Sequence, residues 1–123
     1  VAYVQGFVLA VPTENKAEFI RQAEFGWTMF RDFGCLEHHE CWGVDVPEGT
    51  LTSFPMAVKK QEEETVVFSW LVWPDKATHD AGMAKMMQDP RMAEMGQMCF
   101  DGKRMIWGGF EEVVNLSQPA GGR

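Results

Sequence analysis

The sequence predicts an α+β fold built from four strands and two main helices. Three observations carry that prediction. Runs of β-branched and aromatic residues, above all Thr65 to Trp73 (TVVFSWLVW), have the composition of strands. Two longer stretches repeat apolar residues every three or four positions, the spacing of one helix face. Pro12, Gly34, Pro74 and Asp101-Gly102 fall between these segments, where such residues end strands and helices.

Strand one runs from Tyr3 to Val11, with Tyr3, Phe7, Leu9 and Val11 on one side and Val4, Val8 and Ala10 on the other. Pro12 ends it, because proline has no N–H to give a ladder. Asn15 followed by Glu18 is a capping-box pattern, so a helix is expected over residues 15 to 33. Its apolar stripe is Ile20, Ala23, Trp27 and Phe30, widened by Phe19 and Phe33, and Gly34 supplies a left-handed stop. Leu36 to Val44 reads as strand two, although Glu37-His38-His39-Glu40 makes its middle polar. Pro47, Gly49 and Pro55 break up the next stretch, and the charge run Lys59 to Glu64 reads as a solvated turn. Strand three, Thr65 to Trp73, is central and stops at Pro74. Asp75 caps a second helix that extends to Gln88, with Ala77, Ala81, Ala84 and Met87 among its apolar positions. Asp89-Pro90 opens a short further helix. After the turn at Asp101-Gly102, Arg104 to Leu116 reads as strand four.

The order β-α-β-β-α-β is that of ferredoxin-like folds, a four-stranded antiparallel sheet with its helices on one face. Residues 1–116 are expected to form one such domain, and residues 117–123 a flexible C-terminal tail. Two helices cover only one face of the sheet. The other face should then be polar, yet strand three carries Val66, Phe68, Trp70 and Val72 on one side and Val67, Leu71 and Trp73 on the other. At about 25 cal/mol per Å² of apolar surface, a whole wet sheet face forgoes more than a small domain's net stability. A homodimer with sheets packed face to face is therefore expected.

Charge and cysteine use narrow the function. The 123 residues hold 18 acids against 11 Lys and Arg, a formal net charge of −7, and acids are in excess in both halves of the chain. No basic patch stands out, which disfavours nucleic acid and anionic membrane surfaces as partners. Three cysteines without a CxxC pair or a disulfide-dense spacing fit a reducing, cytoplasmic setting. The N-terminal run VAYVQGFVLAVP reads as a strand rather than a signal peptide or membrane span.

The segments GFVLAVP (6–12), ECWGVDVPEG (40–49), TSFPMAVK (52–59), VVFSWLVWPDKATHDAGMAKMM (66–87), DPRM (89–92) and FDGKRMIWGGFE (100–111) together resemble the YbaA-like family of small bacterial proteins, a domain of unknown function. The resemblance spans nearly the whole chain. It implies a dimeric α/β barrel, and it assigns no reaction, substrate or catalytic residue.

Several residue groups are candidates for chemistry. Cys35, Glu37, His38, His39, Glu40 and Cys41 form the densest set of metal-competent side chains. Alternation puts Glu37, His39 and Cys41 on one face and His38 with Glu40 on the other, so at most three would share a metal. The plainer account is a partly solvated edge strand. His79 is expected on the exposed polar face of the second helix. Seven of the nine methionines lie between Met83 and Met105, a composition suited to filling an irregular core or lining an adaptable apolar pocket. Trp42, Trp70, Trp73 and Trp107 all fall on predicted strands, where indoles border a pocket or an interface. Gly108-Gly109 marks a bulge or a close backbone approach. Asp101, Lys103 and Arg104 form a polar corner that would hold an anionic group, with Asp101 or Asp45 moving a proton, or that is simply a turn.

The leading expectation is a cytoplasmic homodimer that binds a small, largely apolar molecule between sheet and helices, with Trp42, Trp70, Trp107, Met83, Met87 and Arg104 lining the pocket. The alternatives are a non-enzymatic structural or protein-interaction dimer and, last, a metal- or haem-binding protein using His39, Glu37 and Cys41. No nucleophile, phosphate-loop or dinucleotide motif is present, so no cofactor is expected and catalysis has no assigned residue.

Overall fold

Two ten-residue strands, β1 (Tyr3–Pro12) and β3 (Glu64–Trp73), pair antiparallel along their whole length, from Tyr3 opposite Trp73 to Pro12 opposite Glu64. β-branched and aromatic side chains dominate both, and such residues favour the extended, half-buried backbone. β2 (Glu37–Trp42) adds to β3 and β4 (Ile106–Glu111) adds to β1, both antiparallel, giving the order β2-β3-β1-β4. The helices are α1 (Lys16–Asp32), α2 (Phe54–Ala57), α3 (Lys76–Met86) and α4 (Arg91–Met95). The structure, a computed structural model, describes residues 1–119; residues 120–123 of the expected tail lie outside the described residues.

The core divides by sheet face. On one side Leu9, Val11, Val67, Leu71 and Trp73 are buried against Phe19, Trp27 and Phe30 of α1 and Met83 of α3. Trp73 is wholly buried, and its indole N–H donates to the buried Gln5 side-chain oxygen at 2.8 Å, which satisfies both polar groups inside the core. On the other side Val8, Ala10 and Val66 are sealed by Val58 and Val46, which belong to the segment joining β2 to β3. That segment includes α2, a helical turn where the breakers Pro47, Gly49 and Pro55 predict irregular chain. Ser53 starts it by accepting from the Met56 N–H at 3.1 Å, with Pro55 inside its first turn. The cover stops there, and Phe68, Ile106 and Phe110 on the same face remain 47%, 45% and 60% exposed.

Helix boundaries agree with expectation better than helix faces do. Gly34, at φ 107°, ends α1, with its N–H bonded to the Arg31 carbonyl. Asp75 caps α3 through a 2.7 Å bond from the Thr78 N–H. The Asn15–Glu18 capping box does not form: Asn15 closes a 3-10 turn and donates to the Cys99 carbonyl, while Glu18 pairs with Arg21. The buried line of α1 is Phe19, Gln22, Gly26 and Met29, rotated from the expected stripe, and Ile20 is 46% exposed. In α3 the alanines Ala77, Ala81 and Ala84 face solvent, and Gly82 and Met86 are buried. His79, expected to be exposed, packs its ring on Tyr3 and edge-on to Trp73. The β1–β4 pairing is continuous from Tyr3–Glu111 to Val8–Ile106, so the Gly108-Gly109 pair marks close approach rather than a bulge. A β-carbon at Gly109 would overlap the Tyr3 ring. Strand four is also shorter than Arg104 to Leu116, because Gly102–Arg104 form a 3-10 turn and residues after Glu111 leave the sheet.

Gly82 lets α3 lie directly on the sheet: a β-carbon there would come within 2.8 Å of Trp73 Cζ3 and 2.9 Å of the Phe33 carbonyl oxygen. Since neither the indole nor the backbone has room to give, Gly82→Ala is expected to cost about 1–3 kcal/mol despite alanine's better helix propensity. Urea denaturation monitored by tryptophan fluorescence measures this; an unchanged or raised midpoint would contradict the packing account.

Candidate functional site

The methionine-rich chain after α3 folds back over the helix side of the sheet. The buried Gln22 side chain of α1 donates to the Gln97 carbonyl at 3.0 Å and accepts from the Cys99 N–H at 3.2 Å, and Asn15 donates to the Cys99 carbonyl at 2.9 Å. These bonds hang the 97–99 loop from α1. Arg91 fixes α4 in the same way, pairing with Asp89 and Asp32 and donating to the Thr28 carbonyl. The guanidinium holds the Asp89 carboxyl down to about 2, so this clasp stays charged through any physiological pH.

Beneath this cover lies a cavity of about 250 Å³ between sheet and helices. Five methionines, Met86, Met92, Met95, Met98 and Met105, line it with Phe7, Leu9, Phe19, Phe30 and Phe100. Its polar groups come from one place, the middle of β2 and the facing position of β3: His38, Glu40 and Ser69, with Glu40 directly opposite Ser69 in the ladder. His38 Nε2 stands 2.6 Å from Glu40 Oε2, and the Phe30 ring meets the imidazole edge to face at 5.6 Å. A carboxylate only accepts, so Nε2 carries the hydrogen in this pair; the tautomer is assigned from the bond. Outside the cavity a groove of about 630 Å³ runs between α1 and β2, lined by Ile20, Trp27, Leu36 and Glu37. Groove and cavity share Ala23, His38 and Glu40, so the polar pair stands at the boundary between them.

The six side chains expected to line one pocket are not brought together. Trp70 borders the cavity, but its ring stacks on His39 at 4.5 Å. Trp42 packs on Phe19 under the Lys16 ammonium, Met83 joins the cluster around Trp73, and Met87 and Trp107 are 72% and 71% exposed. Glu37, His39 and Cys41 do share one sheet face, with His39 Nε2 2.8 Å from Glu37 Oε1. Among the described residues, no three His, Cys, Asp or Glu side chains converge as a metal site would require. Burial pushes the Cys35 and Cys99 thiols up, away from the reactive thiolate. The sequence singles out His38 and Glu40 only as members of the metal-competent set, and it does not single out Ser69. The signal for two of them was present, because alternation sets His38 and Glu40 apart from Glu37, His39 and Cys41.

Arg104 binds its own chain. Its guanidinium reaches both carboxylate oxygens of Glu64 at 2.8 and 2.6 Å, Asp101 at 3.0 Å and the Lys59 carbonyl at 2.9 Å. Glu64 thus starts β3 as a buried partner and is no part of a solvated turn. Lys59, at a positive φ of 50°, is held by that carbonyl bond. The Arg104 bonds lower the Glu64 pKa, so the folded protein keeps this carboxylate ionised at a pH where the unfolded chain already binds a proton. The pair therefore stabilises fully above the ordinary carboxylate value of 4.5 and is lost as pH falls through the lower folded value. Glu64→Gln is expected to lower Tm clearly at pH 7, with the gap from wild type narrowing below about pH 4. Paired melts across pH check this, and a gap that does not narrow on acidification contradicts it.

Comparison with known proteins agrees with the resemblance. The chain is 52% identical over 114 residues to the uncharacterised protein YbaA of Escherichia coli (strain K12), which covers 92% of this chain and 97% of that protein. The YbaA of Shigella flexneri matches with the same identity and coverage. Residues 2–102 match the family model described as a protein of unknown function, DUF1428, and on both grounds the chain belongs to that YbaA-like family.

Proposed function

We propose that this protein binds a small, largely apolar molecule in the cavity between sheet and helices. The observation that carries the reading is a cavity of about 250 Å³ whose wall is apolar, mostly methionine and phenylalanine, except for His38, Glu40 and Ser69. Apolar walls with a few convergent polar groups are the usual form of a small-molecule site. The size suits one ring with a short substituent, given that an engineered apolar cavity of about 150 Å³ takes up benzene. A reading in which apolar surfaces serve only self-association expects a filled interior, so the cavity favours binding.

The working unit in this reading is a homodimer of ferredoxin-like subunits, sheet against sheet, as a dimeric α/β barrel. The strand order β2-β3-β1-β4 supports the ferredoxin-like reading, and the exposed Phe68, Ile106 and Phe110 support the dimer. The three free cysteines fit a reducing cytoplasm, and no described helix is long and apolar enough to cross a membrane.

Small apolar probes such as toluene and indole test the cavity. At about 100-fold excess over Kd a ligand that binds only the native state adds about 2.7 kcal/mol, which raises Tm by several degrees. Ala23→Phe, at the boundary of cavity and groove, is expected to remove that shift; a wild-type melt that no probe moves overturns the reading. For the dimer, light scattering at micromolar concentration is expected to give twice the mass of one chain, and Phe110→Asp to give the monomer. A wild-type monomer there removes the dimer.

A further inference from the structure

We propose that the His38–Glu40 pair is a hydrogen-bond-accepting anchor, and that the molecule it selects is a ring-sized apolar compound carrying one hydroxyl, a phenol or an enol. The inference rests on the cavity-binding reading and adds the chemistry of the ligand's polar end.

Glu40 accepts from His38 Nε2 at 2.6 Å, which fixes the imidazole plane and, in the tautomer this bond assigns, leaves Nδ1 as the ring's acceptor. A carboxylate behind the donor nitrogen orients the ring, the arrangement by which metal-binding histidines are also held. Here no third His, Cys, Asp or Glu stands by among the described residues, so the acceptor's partner is a ligand proton rather than a metal. Phe30 meets the ring at 5.6 Å and Trp27 at 6.3 Å, and together they hold the imidazole in place on its apolar side.

Ser69 supplies the complement. It is 3% exposed, lines the same cavity, and sits opposite Glu40 in the β2–β3 ladder. Its hydroxyl donates as readily as it accepts. A ligand hydroxyl is both donor and acceptor, so it matches an imidazole acceptor and a serine donor at once. A ketone or ether has no proton for His38, and a carboxylate would meet the Glu40 charge at close range. The remaining wall is apolar, mostly thioether and phenyl, and disfavours a second polar group in the ligand's body. The shared boundary with the outer groove means that a ligand coming from the groove passes the pair first.

The test compares para-cresol with para-methylanisole, which differ by the hydroxyl proton and one methyl group and carry no second polar group. Titration calorimetry on the full chain is expected to show para-cresol binding about tenfold tighter or more, the effect of leaving the part-buried acceptor unpaired. His38→Phe is expected to bring the two affinities together, while Glu40→Gln, which keeps a group behind Nε2, loses only part of the preference. A shift of the imidazole nitrogen resonances on adding para-cresol to wild type supplies the same answer if the variants do not fold. Equal wild-type affinities for the two probes, or a preference undiminished in His38→Phe, overturn the anchor while leaving cavity binding intact. If neither probe binds and apolar probes also leave the melt unmoved, cavity binding and anchor fall together.

Discussion

Everything else in the fold hangs from the ladder between β1 and β3. Ten residues of each strand pair in unbroken register, and alternation sends an apolar set to both faces at once. A strand pair with this pattern cannot be satisfied by one layer of helices. The chain answers on one side with α1 and α3, and on the other with a partial patch built from Val46, α2 and Val58. A one-residue slip of β3 would exchange Trp73 for Val72 beneath α3 and strand the Gln5–Trp73 bond, so the register is fixed by packing and polarity together.

Polar side chains do the joining where apolar contact alone would leave the long connections loose. Gln22 and Asn15 secure the loop after α4, Arg91 secures α4 itself, and Arg104 secures the approach to β3. All four donate to backbone carbonyls far away in sequence, which a reading by local motif does not reveal. Asn15 illustrates the point. Its spacing to Glu18 fits a cap, yet the Cys99 carbonyl, 84 residues away, claims its amide.

Strand positions, the left-handed stop at Gly34 and the cap at Asp75 were legible because each depends on residues within one turn. Helix faces were less legible, because small and polar residues occupy the buried lines. Gly82 is buried for close approach and Gln22 for its bonds, so hydrophobicity alone misplaced the face of α3 and rotated that of α1, whose Phe19, Trp27 and Phe30 do meet the sheet. The site shows the same division. The methionine cluster announced an adaptable apolar wall, and five of its members line the cavity. The tryptophans drew attention by size, but size places them on sheet faces and edges. His38 and Glu40 were legible only through strand parity, and Ser69 only once the ladder set it opposite Glu40.

The methionine wall has a further consequence. Each thioether has three rotatable bonds and no branch, so the wall can redistribute its atoms at small cost around guests of different outline. Only the β2 and β3 end, with its ladder-fixed side chains, is stiff. Recognition in such a chamber is read at one end and measured by bulk elsewhere, so discrimination among guests falls on where their single polar atom lies and how much volume follows it, with contour counting for little.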